Sequence, residues 1–554
     1  MNNLEFLIFY ILCFLSGRGL SIIYLSFNKN ETDKPETVKV LNTDLSIFYT
    51  IISLVFFGNF IFLINFVLSI NEARFLLICL FALSILINIK KPFQISDKFR
   101  FIFMNSIIPL LLSFSVYGNR LHADAGYYHL PHQLWIRNEK IIFGLGKLDM
   151  YFGTSSMYEY LSSVLWINES FNFLHNLNLI FFVLFFSFVT FHLTKQDKDF
   201  LFFSSFILLI YSLLDNVGLY GGSNGFIKIQ TVGKPDVAVG VLIYIVSVTL
   251  IQKIINKNFD FDDFLFSVIL ATFTFQIRIF GAVLFLVCII YFLSSIKQVN
   301  SIPKKFIYVM TINIFIFIAW SIKNLIISSC LIFPIKQTCI KSLQWSNFAQ
   351  LNEWSNSWND WPYNYKFNKN FFDWTVEWFN AGTNFQEVPN YLISVLVIYL
   401  LNRVVFTKEK SKNYSKIFVY TYFLIGLFFF LLFGFHIRYM FGFVLLSVAM
   451  LTLNNKKVRR KNNQLFNLKI IYSLIFISVF LIPRGYSYKY FLDNPNIYYS
   501  IEVSEEIDLI KNEGWGNYSS SNKCYDTKNC TRTKNNLELV PYFSNYLIFE
   551  DSTQ

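Results

Sequence analysis

Charge is scarce in this 554-residue chain: Asp, Glu, Lys and Arg together make up only 15% of it. Ordinary soluble domains carry about 25%, so a large water-facing surface is excluded. Cysteine is also rare, at seven residues, and neither of its close pairs is joined by the second cysteine or histidine pair that a zinc site needs. No nucleotide-binding P-loop is present, because the Gly-Lys of the glycine-rich stretch 218–236 is followed by Pro235. The first apolar run has no basic residues before it and no small-residue cleavage site after it. It is therefore expected to remain as a membrane span, not a signal peptide. There is no internal repeat and no low-complexity linker.

Apolar length fills the space. Hydrophobic residues make up 54% of the chain, 67 of them phenylalanine, and mean hydropathy is +0.45. Runs such as FFVLFFSFV have no polar face, and a helix apolar all round belongs in lipid or a deep core. Segments near 20 residues match the bilayer's hydrocarbon thickness. The reading is an all-α polytopic membrane protein with about 14 transmembrane helices and long extracytoplasmic loops. The expected spans are 4–26, 45–69, 72–89, 101–118, 172–194, 200–214, 237–252, 264–277, 279–296, 306–327, 391–406, 417–434, 438–454 and 468–483. Net charge is +12, and its basic runs include Lys90, Lys91, Lys98 and Arg100, then Lys408 to Lys416, then Lys456 to Lys461. Such loops mark the cytoplasmic side and give no reason to expect nucleic acid. Threading the spans on that rule puts both termini outside, together with the long segments 119–171, 215–236, 328–390 and 484–554.

Cysteine usage agrees with this topology. Cys13, Cys79 and Cys288 fall in spans, whereas Cys330 with Cys339, and Cys524 with Cys530, fall in outer segments. Disulfides persist in oxidising compartments, so these two pairs are expected to be bonded. The outer segment 328–390 also holds six of the ten tryptophans, among them Trp354, Trp358 and Trp361, interleaved with carboxylates. That mixture suits a saccharide, whose C–H faces stack on indoles while its hydroxyls need polar partners; it equally suits an interfacial aromatic belt.

The densest chemistry lies in 120–166. Asp124 is a candidate general base, or a ligand for a divalent cation, with an N-cap as the structural alternative. Tyr128, His129 and His132 follow it; Pro131 is expected to break the helical register between the two histidines. Lys234, Arg278 and Arg438 are candidate phosphate ligands, Arg278 lying between two short spans. Asp236 is either an N-cap or a second acidic group. Lys323 is a further cation inside an apolar run, and such residues are costly enough to suggest a role.

The pieces DAGYYHLPHQLWI, IIFGLGKLDMYFG, GKPD, KNLIISSCLIFPIKQTC and IRYMFG together resemble a family of uncharacterised bacterial membrane proteins associated with surface-polysaccharide biosynthesis. The wider layout resembles the GT-C superfamily of membrane glycosyltransferases, with Asp124 matching that superfamily's acidic position. The chain departs from the pattern in placing this loop after its fourth span, as if 1–100 added three helices to a core at 101–483, followed by an extracytoplasmic segment at 484–554. Ala123 and Ala125 also flank Asp124 where the superfamily pairs acidic residues. The resemblance implies an inverting glycosyltransferase of the bacterial inner membrane, with its active site on the periplasmic face. A polyprenyl-phosphate-linked sugar would be the donor, and a glycan or lipid the acceptor. Catalysis would fall to Asp124 with His129 and His132, the donor phosphate to Lys234, Arg278 or Arg438, and the glycan to Tyr128, Trp354, Trp358 and Trp361. No cofactor is required by this scheme, although a divalent cation at Asp124 is compatible with it. The competing expectations are an O-antigen ligase or polymerase, and a lipid-linked oligosaccharide flippase.

Overall fold

In the computed structural model the described residues are 2–27, 41, 43–90, 95, 97–118, 124–166, 171, 173–195, 197–217, 235–296, 302–359, 370–381, 384–408, 422, 426–427, 437–459, 464, 466–483, 485–493, 508–532 and 534–551. They form a helical membrane protein with a few short strands. Seven described helices are long and apolar enough to cross a bilayer: Asn3–Ile23, Leu45–Ile64, Lys98–Val116, Leu174–Lys195, Asp236–Ile255, Lys304–Ser328 and Asn384–Val405. Shorter apolar helices cover Phe200–Asp215, Ile279–Ser295 and Tyr439–Met450, and a bent pair covers Leu468–Leu481 and Gly485–Asp493. Apart from three residues, the expected span 417–434 lies outside the described residues.

Local chemistry sets several helix starts. Asp44 caps Leu45–Ile64 by accepting from the Ser46 amide, and Asp260 caps Phe261–Ile277 through Asp262. Ser69 and Glu72 form a reciprocal capping box on Ile70–Leu86. The helices Leu174–Lys195 and Asp236–Ile255 are buried almost throughout, which explains why their sequences show no polar face.

The first helix, Asn2–Phe27, is held by an unusually close approach. A Cβ on Gly17 would lie 1.7 Å from the Tyr49 carbonyl oxygen, and one on Gly19 would lie 1.7 Å from that of Ser84. The Gly-Arg-Gly segment thus seats one helix on two neighbours at once, as small residues do between membrane helices. Gly17→Ala is expected to destabilise by about 1–3 kcal/mol, because the obstacle is backbone and cannot rotate aside. A lowered Tm of the detergent-solubilised protein would show it; an unchanged or raised Tm would refute the contact.

The polar segments gather at one end. The strands Leu537–Pro541 and Leu547–Asp551 pair antiparallel, and the second strand meets Phe143, whose amide donates to Leu547 O at 3.0 Å. The amides of Cys524 and Tyr525 donate to Gly126 O. Trp345 packs its ring on Phe143, and Asn347 reaches Gly146 O. The C-terminal segment therefore covers the polar stretch 124–166, and segment 328–390 borders it. The helix Asn384–Val405 runs directly into the strand Phe406–Lys408, which pairs with Asn455–Val458.

Candidate functional site

Helix ends converge beneath the polar layer. Asp236 opens one helix, Ile277 ends another, and Tyr439 lies in the first turn of a third. A cavity of about 350 Å³ lies among them, walled by Tyr128, His129, Tyr151, Glu159, Arg278 and Trp354 together with apolar side chains.

One wall is built around Glu159. The chain passes through a π-helical stretch, Ala125–His129, directly into the helix Leu130–Asn138. Pro131 sits in the first turn of that helix, where its missing N–H costs no hydrogen bond. The expected break in register does not occur, since His129 and His132 face the same partner. His129 Nδ1 lies 2.7 Å from Glu159 Oε1, and His132 Nδ1 bonds the other oxygen, Oε2. An ionised carboxylate only accepts, so each Nδ1 carries the hydrogen; Nε2 is the bare, basic nitrogen when a ring is neutral, and a protonated ring carries hydrogen on both nitrogens. Burial of Glu159 works to raise its pKa, but the charges and hydrogen bonds of His132 and His129 together hold it down at about 2. Phe152 stacks on the His132 ring at 5.4 Å between centroids, fixing it from the other side.

The opposing charge comes from a broken helix. Phe261–Ile277 ends at Arg278, whose extended backbone leads into a tight turn, Ile279–Ala282. A Cβ on Gly281 would lie 2.5 Å from the backbone of Thr274, so the turn folds back closely only with glycine there. Arg278 Nε lies 3.5 Å from Asp236 Oδ1, and its guanidinium lies over the Tyr439 ring. Asp236 does not cap its helix, whose N-cap is Pro235; it is the buried counter-charge of Arg278. Gln276 also lines the cavity, is 1% exposed, and its amide has no hydrogen-bond partner among the described residues. A buried amide without a partner is costly, and a polar ligand would relieve it.

Aromatic residues make the mouth. Tyr128 and Tyr151 stack at 4.5 Å, and Trp354 meets Tyr151 edge-on. Behind them Arg532, from the C-terminal segment, lies 3.7 Å from Asp149 and over the rings of Tyr127 and Tyr151. Burial pushes the Asp149 carboxyl up, with Arg532 opposing.

The structure thus brings Tyr128, His129, Arg278 and Trp354 to one cavity, with His132 and Asp236 directly behind it. Asp124 is half-buried just before the π-helical stretch, its side chain does not cap that stretch, and it is not among the cavity-lining residues. Lys234, Trp361 and the side chains of Trp358 and Arg438 lie outside the described residues. Lys323 is elsewhere: its Nζ donates to Phe62 O and Asn65 Oδ1 and lies over the rings of Phe62, Phe66 and Tyr160. Glu159 was missed in the sequence; its signal was a carboxylate set between two tyrosines in an otherwise uncharged run. Both expected disulfides are present, Cys330–Cys339 closing the loop that carries Phe333 and Pro334 to the cavity, and Cys524–Cys530 in the C-terminal segment. Among the described residues, no three His, Cys, Asp or Glu side chains are grouped to hold a metal ion.

A family model described as a domain of unknown function (DUF8201) matches residues 3–445. No curated protein and no solved structure matches the chain.

Proposed function

The chain belongs to the DUF8201 family, and on that premise we propose that it is an integral-membrane glycosyltransferase of GT-C type with about fourteen spans. It would move a sugar from a polyprenyl-phosphate-type donor to a glycan or lipid acceptor, on the extracytoplasmic face of a bacterial cytoplasmic membrane, in surface polysaccharide or lipopolysaccharide biosynthesis. One observation carries the reading: a carboxylate-oriented histidine and an arginine anchored by a buried aspartate line the same cavity, at the polar end of membrane helices.

The roles follow from the geometry. His129, oriented by Glu159, takes the proton of the acceptor hydroxyl at Nε2. That oxygen attacks the anomeric carbon from the side opposite the phosphate, so configuration inverts. The bond from the anomeric carbon to the phosphate oxygen breaks, and the electron pair leaves with the phosphate. Arg278 meets the developing charge with guanidinium hydrogens not directed at Asp236. Tyr128, Tyr151 and Trp354 offer ring faces to the sugar, and Gln276 offers both a donor and an acceptor. The base is therefore reassigned from Asp124 to His129, whereas Arg278 keeps its expected role.

The test compares two substitutions in cells, with protein amount in the membrane confirmed by blot. His129→Asn retains a donor near Nδ1 but removes the base, and is expected to reduce incorporation of the sugar into surface glycan by about 10²- to 10⁴-fold. Asp124→Asn is expected to leave most of it. The reverse pattern returns the base to Asp124, and normal glycan in both variants defeats the transferase reading.

A further inference from the structure

A second cleft, of about 290 Å³, opens between the helix Leu130–Asn138 and the C-terminal segment. Its volume is near the lower end of the roughly 300–1,000 Å³ usual for small-molecule sites. The side chains around it are of two kinds. Trp135 and Trp515 form an aromatic corner, their rings 5.1 Å apart, and both meet Phe549 edge-on. Phe549 is fully buried, so the corner rests on a fixed base. Polar groups face it as well, among them Asn138, Glu139, Lys528 and Asn529.

These polar groups are held by backbone structure, leaving side-chain capacity unspent. The Glu139 amide donates to Trp135 O and its carbonyl accepts from Asn65. Its carboxylate makes no hydrogen bond or ion pair among the described residues. Asn138 accepts from Asn71 through Oδ1, which leaves its NH₂ as a donor. Asn529 lies inside the turn stapled by Cys524–Cys530, and its carbonyl is committed to the Asn517 amide. Partial burial pushes the Glu139 carboxyl up, as fits a group placed at a cleft wall and not in open solvent.

We infer that this cleft is a saccharide-binding site, separate from the central cavity. A sugar ring presents an apolar C–H face to an indole and hydroxyls at its rim, which need both donors and acceptors. The cleft supplies two indoles, two amides, a carboxylate and an ammonium. A nucleic acid would require an excess of positive charge, whereas here one lysine is balanced by one carboxylate. An acyl chain would require an unbroken apolar lining. The inference does not depend on the transfer reaction, since a sugar held here needs no chemistry at His129. The same helix carries His132 and Trp135, so the two sites share a rigid element.

The test uses the full chain in lipid nanodiscs, titrated by calorimetry with cellotetraose, maltotetraose, chitotetraose and mannotetraose. At least one of these is expected to bind. Glu139→Gln, which keeps shape, and Trp515→Leu are each expected to weaken that binding by about tenfold, with Tm unchanged for Glu139→Gln. His129→Asn is expected to bind as the unaltered protein does, whether or not transfer is lost. Absence of binding by all four sugars overturns the inference. So does binding that survives both cleft substitutions, or binding lost in His129→Asn alone, which would assign the sugar to the central cavity.

Discussion

Glu159→Gln is expected to reduce the proposed sugar transfer by about 10²- to 10⁴-fold while the protein still reaches the membrane. The carboxylate now accepts from two imidazole Nδ1–H groups at once. A glutamine has one accepting oxygen and one NH₂, so one imidazole must present a bare Nδ1 and carry its hydrogen on Nε2 instead. The basic nitrogen is then lost from one ring, and the negative charge that would stabilise a protonated His129 is lost from both. The readout is surface glycan per unit of membrane protein; full incorporation by the folded variant would make Glu159 structural only.

The same residue sets an acid limit. Its folded pKa, about 2, is below its ordinary value of 4.5. A depressed carboxyl stabilises the fold above the unfolded pKa, and that contribution is lost as pH falls through the folded one. The difference is on the order of 3 kcal/mol, lost between about pH 4.5 and 2. Denaturant unfolding across that range should therefore be steeper with pH for the unaltered protein than for Glu159→Gln. Equal slopes would mean that Glu159 is not held ionised by its histidines.

Arg278→Met is expected to cost about 3 kcal/mol of stability and to abolish transfer. The loss of stability comes from Asp236, whose side chain is 1% exposed and 3.5 Å from Arg278 Nε; removing one partner leaves the other's charge buried. Adding Asp236→Asn removes that charge and should restore most of the stability, because the two sites are coupled by contact. On the proposed reading it should restore no transfer, because a donor phosphate would still lack its cation. Recovery of both stability and transfer in the double variant would show that Arg278 serves only the fold. Tm and glycan incorporation, measured on the unaltered protein, Arg278→Met and the double variant, separate these outcomes.

Much of the arrangement was legible in the chain because burial in lipid leaves a coarse mark. Apolar runs near bilayer length, basic stretches between them and paired cysteines in the remaining segments are properties of composition and order. Arg278, His129 and Tyr128 could be singled out because ionisable and aromatic groups are conspicuous against apolar neighbours. Glu159 was equally conspicuous but had no partner within sequence reach: His129 and His132 lie 30 and 27 positions away. Proline at 131 pointed to a broken register, yet its place in the first helical turn removed the conflict.

What the sequence by itself determined is therefore the helical, membrane-embedded character of the protein, and which ionisable and aromatic groups stand out among apolar neighbours. Each follows from local quantities: hydropathy, charge and spacing. Only the tertiary structure decided which of those groups meet. Glu159 joins two histidines from a preceding segment, Asp236 at the start of its helix is the partner of Arg278 and not an N-cap, and Lys323 is drawn away into a cage of rings. Such pairings depend on how helices pack across long stretches of chain, through contacts as particular as Gly17 against the Tyr49 carbonyl, and no local pattern encodes them.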